Sequence, residues 1–195
     1  MTTRAELRQI THDKVTTAAE QLFRERGFTA TTVRDIAAAA GVSVGSVMAI
    51  GDKRALLVSL FDRAIADVHR RRSSSNAPPP TGGNVVDHVV ELISPFLDVF
   101  AADVELAREY GAVLMSGNHG STVFHGLGEM LVRDIETILR ADGMNEADTP
   151  RAARTIYMSY LGAIFAWAAS GTPDASESLE TFRSIVSFTT QPRGD

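Results

Sequence analysis

The sequence predicts an all-α fold: an N-terminal three-helix helix-turn-helix domain followed by a helical bundle of about five or six helices. Three observations carry that prediction. Apolar residues recur at three- and four-residue spacing along most of the chain, the period of an amphipathic helix. Val, Ile and Thr nowhere alternate with polar residues for long enough to make a strand. Gly27, Gly41, Gly51, Gly143 and Gly171 punctuate the periodic stretches where helices must stop.

The first helix is predicted over Glu6 to Arg26, where Ile10, Ala18 and Leu22, with Val15, Ala19 and Phe23 beside them, form one stripe. Lys14 interrupts that stripe, although its stem can cover apolar surface. Thr31 or Thr32 then caps a short, slim helix that includes Ala37 to Ala40, and Asp35 stands in capping-box register with Thr32. A second very short helix runs from Val44 to Ile50. Asp52 caps a longer one carrying Leu56, Leu57, Leu60, Phe61, Ile65 and Val68.

Ser73 to Gly83 is rich in Ser, Pro and Gly and cannot bury apolar area, so residues 73–84 are predicted as a flexible loop. Five helices are expected beyond it. Val85 to Phe100 contains Pro95, which should kink or break it. Asp103 to Ser116 follows, then about Ser121 to Ala141, with Glu129–Arg133 and Glu136–Arg140 as i,i+4 pairs. Pro150 opens the next helix after an Asp148 or Thr149 cap, ending near Gly171, and the last spans about Asp174 to Thr189.

Composition excludes several functions. There is no cysteine, hence no disulfide, thiolate metal site or catalytic thiol. No apolar run approaches the roughly 20 residues of a membrane span, and the N-terminus has no apolar core of a signal peptide; a cytoplasmic setting is expected, with no membrane partner. His12, His69, His88, His119 and His125 make no i,i+4 pair, and no catalytic constellation is present, so neither a metal, a cofactor nor an enzymatic activity is expected. Net charge is −5, yet residues 1–72 carry 12 Lys and Arg against 8 Asp and Glu. The basic front suits a polyanion while the acidic remainder keeps the chain soluble.

Residues 29–57 place two short helices across a Gly-containing turn, with a helix before and a longer one after. That is the helix-turn-helix arrangement. Its second helix is slim enough for a major groove about 12 Å wide. Phe28 to Ala37, Ala40-Gly41-Val42-Ser43-Val44-Gly45-Ser46-Val47 and Lys53-Arg54-Ala55-Leu56-Leu57 resemble, in order and spacing, the N-terminal domain of the tetracycline-repressor-like (TetR/AcrR) transcriptional regulators. The resemblance covers roughly residues 10–65.

It implies a DNA-binding domain over residues 1–72 and an effector-binding and dimerisation domain over 85–195. It further implies a ligand-responsive regulator, a repressor, that binds double-stranded operator DNA as a homodimer. Thr31 and Thr32 would cap the first helix of the motif and touch phosphate, and Ser43, Val44, Gly45 and Ser46 would open the recognition helix toward the bases. Val44 and Ala49 offer apolar contact only, and Lys53 occupies the place of a phosphate-binding lysine. One departure stands out. The family follows Gly-x-Leu with Tyr-x-His-Phe or Tyr-x-Tyr-Phe, two residues and Lys; here Met48-Ala49-Ile50-Gly51-Asp52 precede Lys53, one residue short and without aromatics. Met48 stands at the Tyr position and cannot hydrogen-bond a phosphate. The departure keeps an alternative open, a helical small-molecule-binding protein whose helix-turn-helix no longer reads DNA.

Two expectations concern the C-terminal part. Phe96, Phe100, Tyr110, Met115, Phe124, His125 and Trp167 are expected to line an effector cavity open to a small apolar molecule; a bundle with no cavity above about 300 Å³ would mean that these residues merely pack as core. The last two helices are expected to form the homodimer contact, through Tyr157, Gly162, Ala163 and Ala166 on the first and Phe182, Ile185 and Val186 on the second.

Overall fold

The computed structural model of the protein describes residues 3–74, 83–121, 126–170 and 176–191. Among them are nine α-helices and no strand: α1 (Arg4–Arg26), α2 (Val33–Ala40), α3 (Val44–Met48), α4 (Lys53–Ser74), α5 (Val85–Ala101), α6 (Val104–Met115), α7 (Gly128–Ala141), α8 (Thr149–Ala169) and α9 (Ser176–Thr190). The all-α prediction holds, and no described helix is long and apolar enough to cross a membrane.

Local chemistry explains most helix ends. The Thr3 N–H donates to Glu6 Oε2 at 2.6 Å and the Glu6 N–H to Thr3 Oγ1 at 3.2 Å, so α1 starts before the first apolar position of its stripe. Thr32, not Thr31, caps α2, with Asp35 completing the box. Gly41 ends α2 in the left-handed region, at φ 65° and ψ 36°. α5 runs unbroken through Pro95. Val89, Leu92, Ile93 and Phe96 are buried around that proline, and their packing outweighs the one backbone bond it forfeits.

The chain folds into two compact units, residues 1–64 with 103–121 and residues 65–102 with 122–195. The division differs from the one expected at residues 73–84. α4 contributes its first half to one unit and its second half to the other, and α6 belongs with the helix-turn-helix. Side chains distant in sequence make the difference. Tyr110 of α6 stacks on Phe61 of α4 with ring centroids 4.4 Å apart. Ser121 donates to Asp62 Oδ1 at 2.6 Å and lies 3.3 Å from the Tyr110 hydroxyl. Thr29 donates to Glu109 at 3.3 Å. Val15, Phe23, Ile36, Val47 and Leu57 form the fully buried centre of this first unit.

In the second unit α5 packs on α7, α7 on α8, α8 on α9 and α9 on α5, a closed ring of four helices. Its core is Ile93, Phe96, Ile135, Leu139, Ile156, Phe182 and Val186. Full burial of each such side chain contributes about 1.5–3 kcal/mol. The Glu136–Arg140 pair forms at 2.9 Å. Glu129, however, pairs with Arg154 of α8 at 2.9 Å, not with Arg133 one turn along its own helix.

The end of α4 adds His69, 4% exposed, with its ring 4.8 Å from that of Phe96. Burial pushes its pKa below the ordinary 6.5; the Asp134 carboxylate opposes that shift, and the Arg72 cation adds to it. The folded state therefore binds this proton less readily than the unfolded chain. The resulting stability is fully present above the unfolded value and is lost as pH falls through the lowered folded one. Between about pH 8 and about pH 5 the unfolding midpoint of the wild type should drop more than that of His69→Gln, as measured by denaturant titration followed by circular dichroism.

Candidate nucleic-acid interface and effector cavity

α3 is only five residues long, and its neighbours hold it. Val47 is its fully buried anchor. Ser43 Oγ accepts the Ser46 N–H at 3.1 Å and lies 2.9 Å from the Ser46 hydroxyl, closing the helix start. Outward stand Ser43, Gly45 and Ala49, together with Val44 at 42% and Met48 at 52% exposure. Ser46 is half-buried. All six were expected at a DNA contact, and the structure brings them together on one short helix and its two ends.

The shortened connection from α3 to α4 closes without aromatics. Ile50 is half-buried where the family places a ring. A Cβ on Gly51 would come within 2.9 Å of Ala55 Cβ, so this turn leaves no space for a side chain. Asp52 caps α4, accepting the Ala55 N–H at 2.8 Å. His119 Nε2 approaches the same carboxylate at 3.1 Å. The Ala55 N–H first, and then His119, hold the Asp52 pKa below the ordinary 3.8 against a burial penalty.

Two residues carried over from the family pattern lie elsewhere than expected. Thr31 is fully buried, and its hydroxyl donates back to the Gly27 carbonyl at 2.9 Å and the Leu22 carbonyl at 3.2 Å. It cannot reach a phosphate; Thr32 is exposed at the cap, but its hydroxyl and its N–H both donate to Asp35 Oδ2, at 2.6 and 2.9 Å. Lys53 Nζ donates to the Phe28 carbonyl at 2.8 Å and the Thr31 carbonyl at 2.9 Å, and sits 4.2 Å from the Phe28 ring centroid. Its charge is committed to the connection between α1 and α2.

Two arginines that sequence reading passed over are better placed. Arg34, second residue of α2, and Arg54, second residue of α4, are exposed. Neither guanidinium has a hydrogen-bond or ion-pair partner among the described residues. Each is an arginine in the first turn of a helix flanking α3, a signal present in the sequence but outweighed there by the family lysine.

In the second unit a cavity of about 230 Å³ lies between α5, α8 and α9. α5 supplies Ser94, Leu97, Asp98 and Ala101, and α8 supplies Tyr160, Ala163, Ile164 and Trp167. Both sets follow the same i, i+3, i+4, i+7 spacing, one face of each helix. Leu179 and Phe182 of α9 close it. It falls below the about 300 Å³ that separates an effector cavity from packed core. Of the seven predicted lining residues only Trp167 reaches it. Phe96 and Phe100 are packed core, Tyr110 is stacked on Phe61 in the first unit, and Met115 is 77% exposed. Phe124 and His125 lie outside the described residues.

The residues expected at the dimer contact also divide. Gly162 and Ala166 are exposed and Ile185 is half-buried. Phe182 and Val186 are core of their own protomer, and Ala163 and Phe182 border the cavity. Tyr157 is buried with a hydroxyl that has no partner among the described residues, and its phenol is held above the ordinary 10.0 by burial and then by the Glu129 carboxylate. The exposed apolar side chains of this region are Met158 and Phe165 on α8 and Phe188 on α9. α8 and α9 fold back on each other, and the large residues chosen for their apolar character are consumed inside the protomer.

Lys53→Ala should destabilise the first unit by about 1–3 kcal/mol, because two carbonyls lose a charged donor. Gly51→Ala should cost about 1–3 kcal/mol by overpacking against Ala55. Urea unfolding of each variant measures both, and an unchanged midpoint for Lys53→Ala would return that lysine to the DNA surface.

Comparison with known proteins follows the same division. Residues 15–49 match the family model described as bacterial regulatory proteins, tetR family. No curated protein matches the chain in sequence. Among solved structures, Thermus thermophilus FadR, a TetR-family transcriptional repressor in complex with lauroyl-CoA, is 24% identical with a TM-score of 0.63, covering 94% of this chain and 97% of that one. BioQ with its double-stranded DNA operator is 20% identical with a TM-score of 0.61, covering 92% and 97%. A TetR variant from Acinetobacter baumannii AYE in complex with minocycline is 21% identical with a TM-score of 0.58, covering 91% and 93%. Residues 15–49 thus carry the pattern of the tetR family of bacterial regulatory proteins, and the chain carries the fold of the solved structures it matches.

Proposed function

We propose that the protein is a ligand-responsive transcriptional regulator, a repressor, that binds operator DNA as a homodimer. The observation that carries this reading is the tetR-family segment itself, with α3 exposing Ser43, Val44, Gly45, Met48 and Ala49 between helices that begin with the unpartnered Arg34 and Arg54. Similarity of fold to BioQ, which was solved with its operator, supports it. Arg34 and Arg54 supply the phosphate contacts in this reading, and Lys53 braces the frame behind them. Serine hydroxyls and the apolar Val44, Met48 and Ala49 face the base edges, where apolar groups favour thymine methyls.

The absent aromatics at Met48 and Ile50 favour a second reading, a binding protein that has lost its operator. A gel shift with the intergenic DNA flanking the gene separates the two. A retarded band at low salt is expected, with log affinity falling by about 0.9 per phosphate contacted as log salt rises. Arg34→Ala and Arg54→Ala should each flatten that slope by about one contact and weaken binding to all sequences alike. No band on any flanking fragment at low salt decides for the second reading.

The dimer contact in this proposal uses the outward faces of α8 and α9, with Met158, Gly162, Phe165 and Ala166 on one and Phe188 on the other. Small residues permit close helix approach, and a two-fold axis uses the same patch twice. Phe188 is 78% exposed in the protomer, an arrangement a second copy would relieve. Phe188→Asp should convert the dimer to monomer in light scattering without unfolding the protomer. A monomeric wild type would remove the two-headed operator geometry.

The effector site in this proposal is the α5–α8–α9 cavity. Three of the solved neighbours hold lauroyl-CoA, stearoyl-CoA and minocycline. A coenzyme A thioester does not suit this cavity: among the described residues no Lys or Arg lines it to meet the phosphates, and its volume falls below the about 300 Å³ at the small end of ligand pockets. A compact, largely apolar effector does. Such a ligand, if it lowers DNA affinity, must bind the DNA-bound form more weakly by the same factor.

A further inference from the structure

Tyr160, Trp167 and Phe182 place aromatic side chains in the wall of the α5–α8–α9 cavity, and Asp98 is the one charged side chain among the described residues that line it. The Asp98 carboxylate has no hydrogen-bond or ion-pair partner among the described residues. Ser94, in the same wall, spends its hydroxyl hydrogen on the Val90 carbonyl at 2.7 Å. It therefore offers a ligand lone pairs and no donor. A carboxylate and a hydroxyl oxygen four residues apart on α5 make one acceptor edge on an apolar cavity. An acceptor edge is matched by a donor, and a carboxylate by a cation. Aromatic faces attract the same charge through their quadrupoles. An anion there would meet Asp98 with no cation among the described lining residues to offset it.

We infer that the cavity takes a compact amphiphilic monocation, an alkyl- or arylalkyl-ammonium. Its ammonium lies at Asp98 and Ser94, and its apolar body lies against Trp167 and Phe182. The inference rests on the effector reading above and narrows it to one charge class.

Titration of the full-length protein at neutral pH with phenylbutylamine, phenylbutanol and phenylbutyrate tests it. These probes share a body and differ in charge. Trp167, the single tryptophan of the chain, reports binding by fluorescence, and calorimetry gives the affinity. The amine should bind about tenfold more tightly than the alcohol, and the carboxylate more weakly than both. Asp98→Asn should bring the amine to the affinity of the alcohol. Ala163→Leu should fill the cavity and abolish binding of all three. Equal affinities, or a preference for phenylbutyrate, would overturn the charge assignment while leaving an effector cavity in place. Undiminished binding in Ala163→Leu would overturn the location, and failure of all three probes to bind would overturn the effector reading along with it.

Discussion

A five-residue helix does not persist in water by its own hydrogen bonds, because nucleation costs more than so few bonds return. α3 therefore exists only where its surroundings hold it, and the first unit is organised around that requirement. Val47 is sunk completely into the core, which fixes the rotation of the helix and sends Val44 and Met48 outward. Ser43 closes one end with a side-chain bond to the Ser46 N–H, and Gly51 permits the tight turn at the other. Lys53 then binds the start of α4 to the carbonyls of Phe28 and Thr31, the loop that sets where α2 begins. Each restraint belongs to a different element, so α3 is positioned by agreement among α1, α2 and α4.

The same requirement redistributes charge. An ammonium held by two carbonyls and an aromatic face is a structural cation, and what it contributes to rigidity it no longer offers to solvent. The exposed positive charge around α3 falls to Arg34 and Arg54, whose guanidinium forks suit phosphate geometry. A turn one residue shorter than the family pattern, closed by Ile50 and Gly51 in place of rings, thus coexists with an exposed surface around α3 whose cations come from the first turns of the two flanking helices.

In the second unit the governing constraint is closure of a four-helix ring. α5 and α8 each turn an i, i+3, i+4, i+7 face toward the gap left by α9, and the residues on those faces are mixed in size. Ala101 and Ala163 are too small to fill the gap, so a cavity remains where large side chains alone would have made solid core. One acidic residue at its edge gives that cavity a sign. A shared fold with regulators that hold acyl-CoA or a tetracycline does not transmit a ligand, because the charge and volume of the lining decide what enters.

Helical periodicity, capping residues and glycines determined the all-α fold, the order of the nine described helices and the position of the helix-turn-helix, since those signals act within a few residues of chain. The capping box of Thr32 and Asp35, the exposed serine start of α3 and the unusual Met48–Asp52 segment were all legible there. The partners of single side chains were not. Thr31 and Thr32 differ by one position, yet only the packing of α2 on α1 buries the first and leaves the second exposed. Lys53 has the sequence context of a phosphate ligand, and only the fold brings two carbonyls from more than twenty residues away to its ammonium. Phe96, Phe100, Phe182 and Val186 are apolar residues with helical spacing, which marks a face but not what covers it. The stack of Tyr110 on Phe61 places α6 with the first unit, and the return of α9 onto α5 and α8 decides where a cavity remains. Local chemistry specifies elements because its range is short; site geometry depends on contacts between distant segments, and those exist only once the chain has packed.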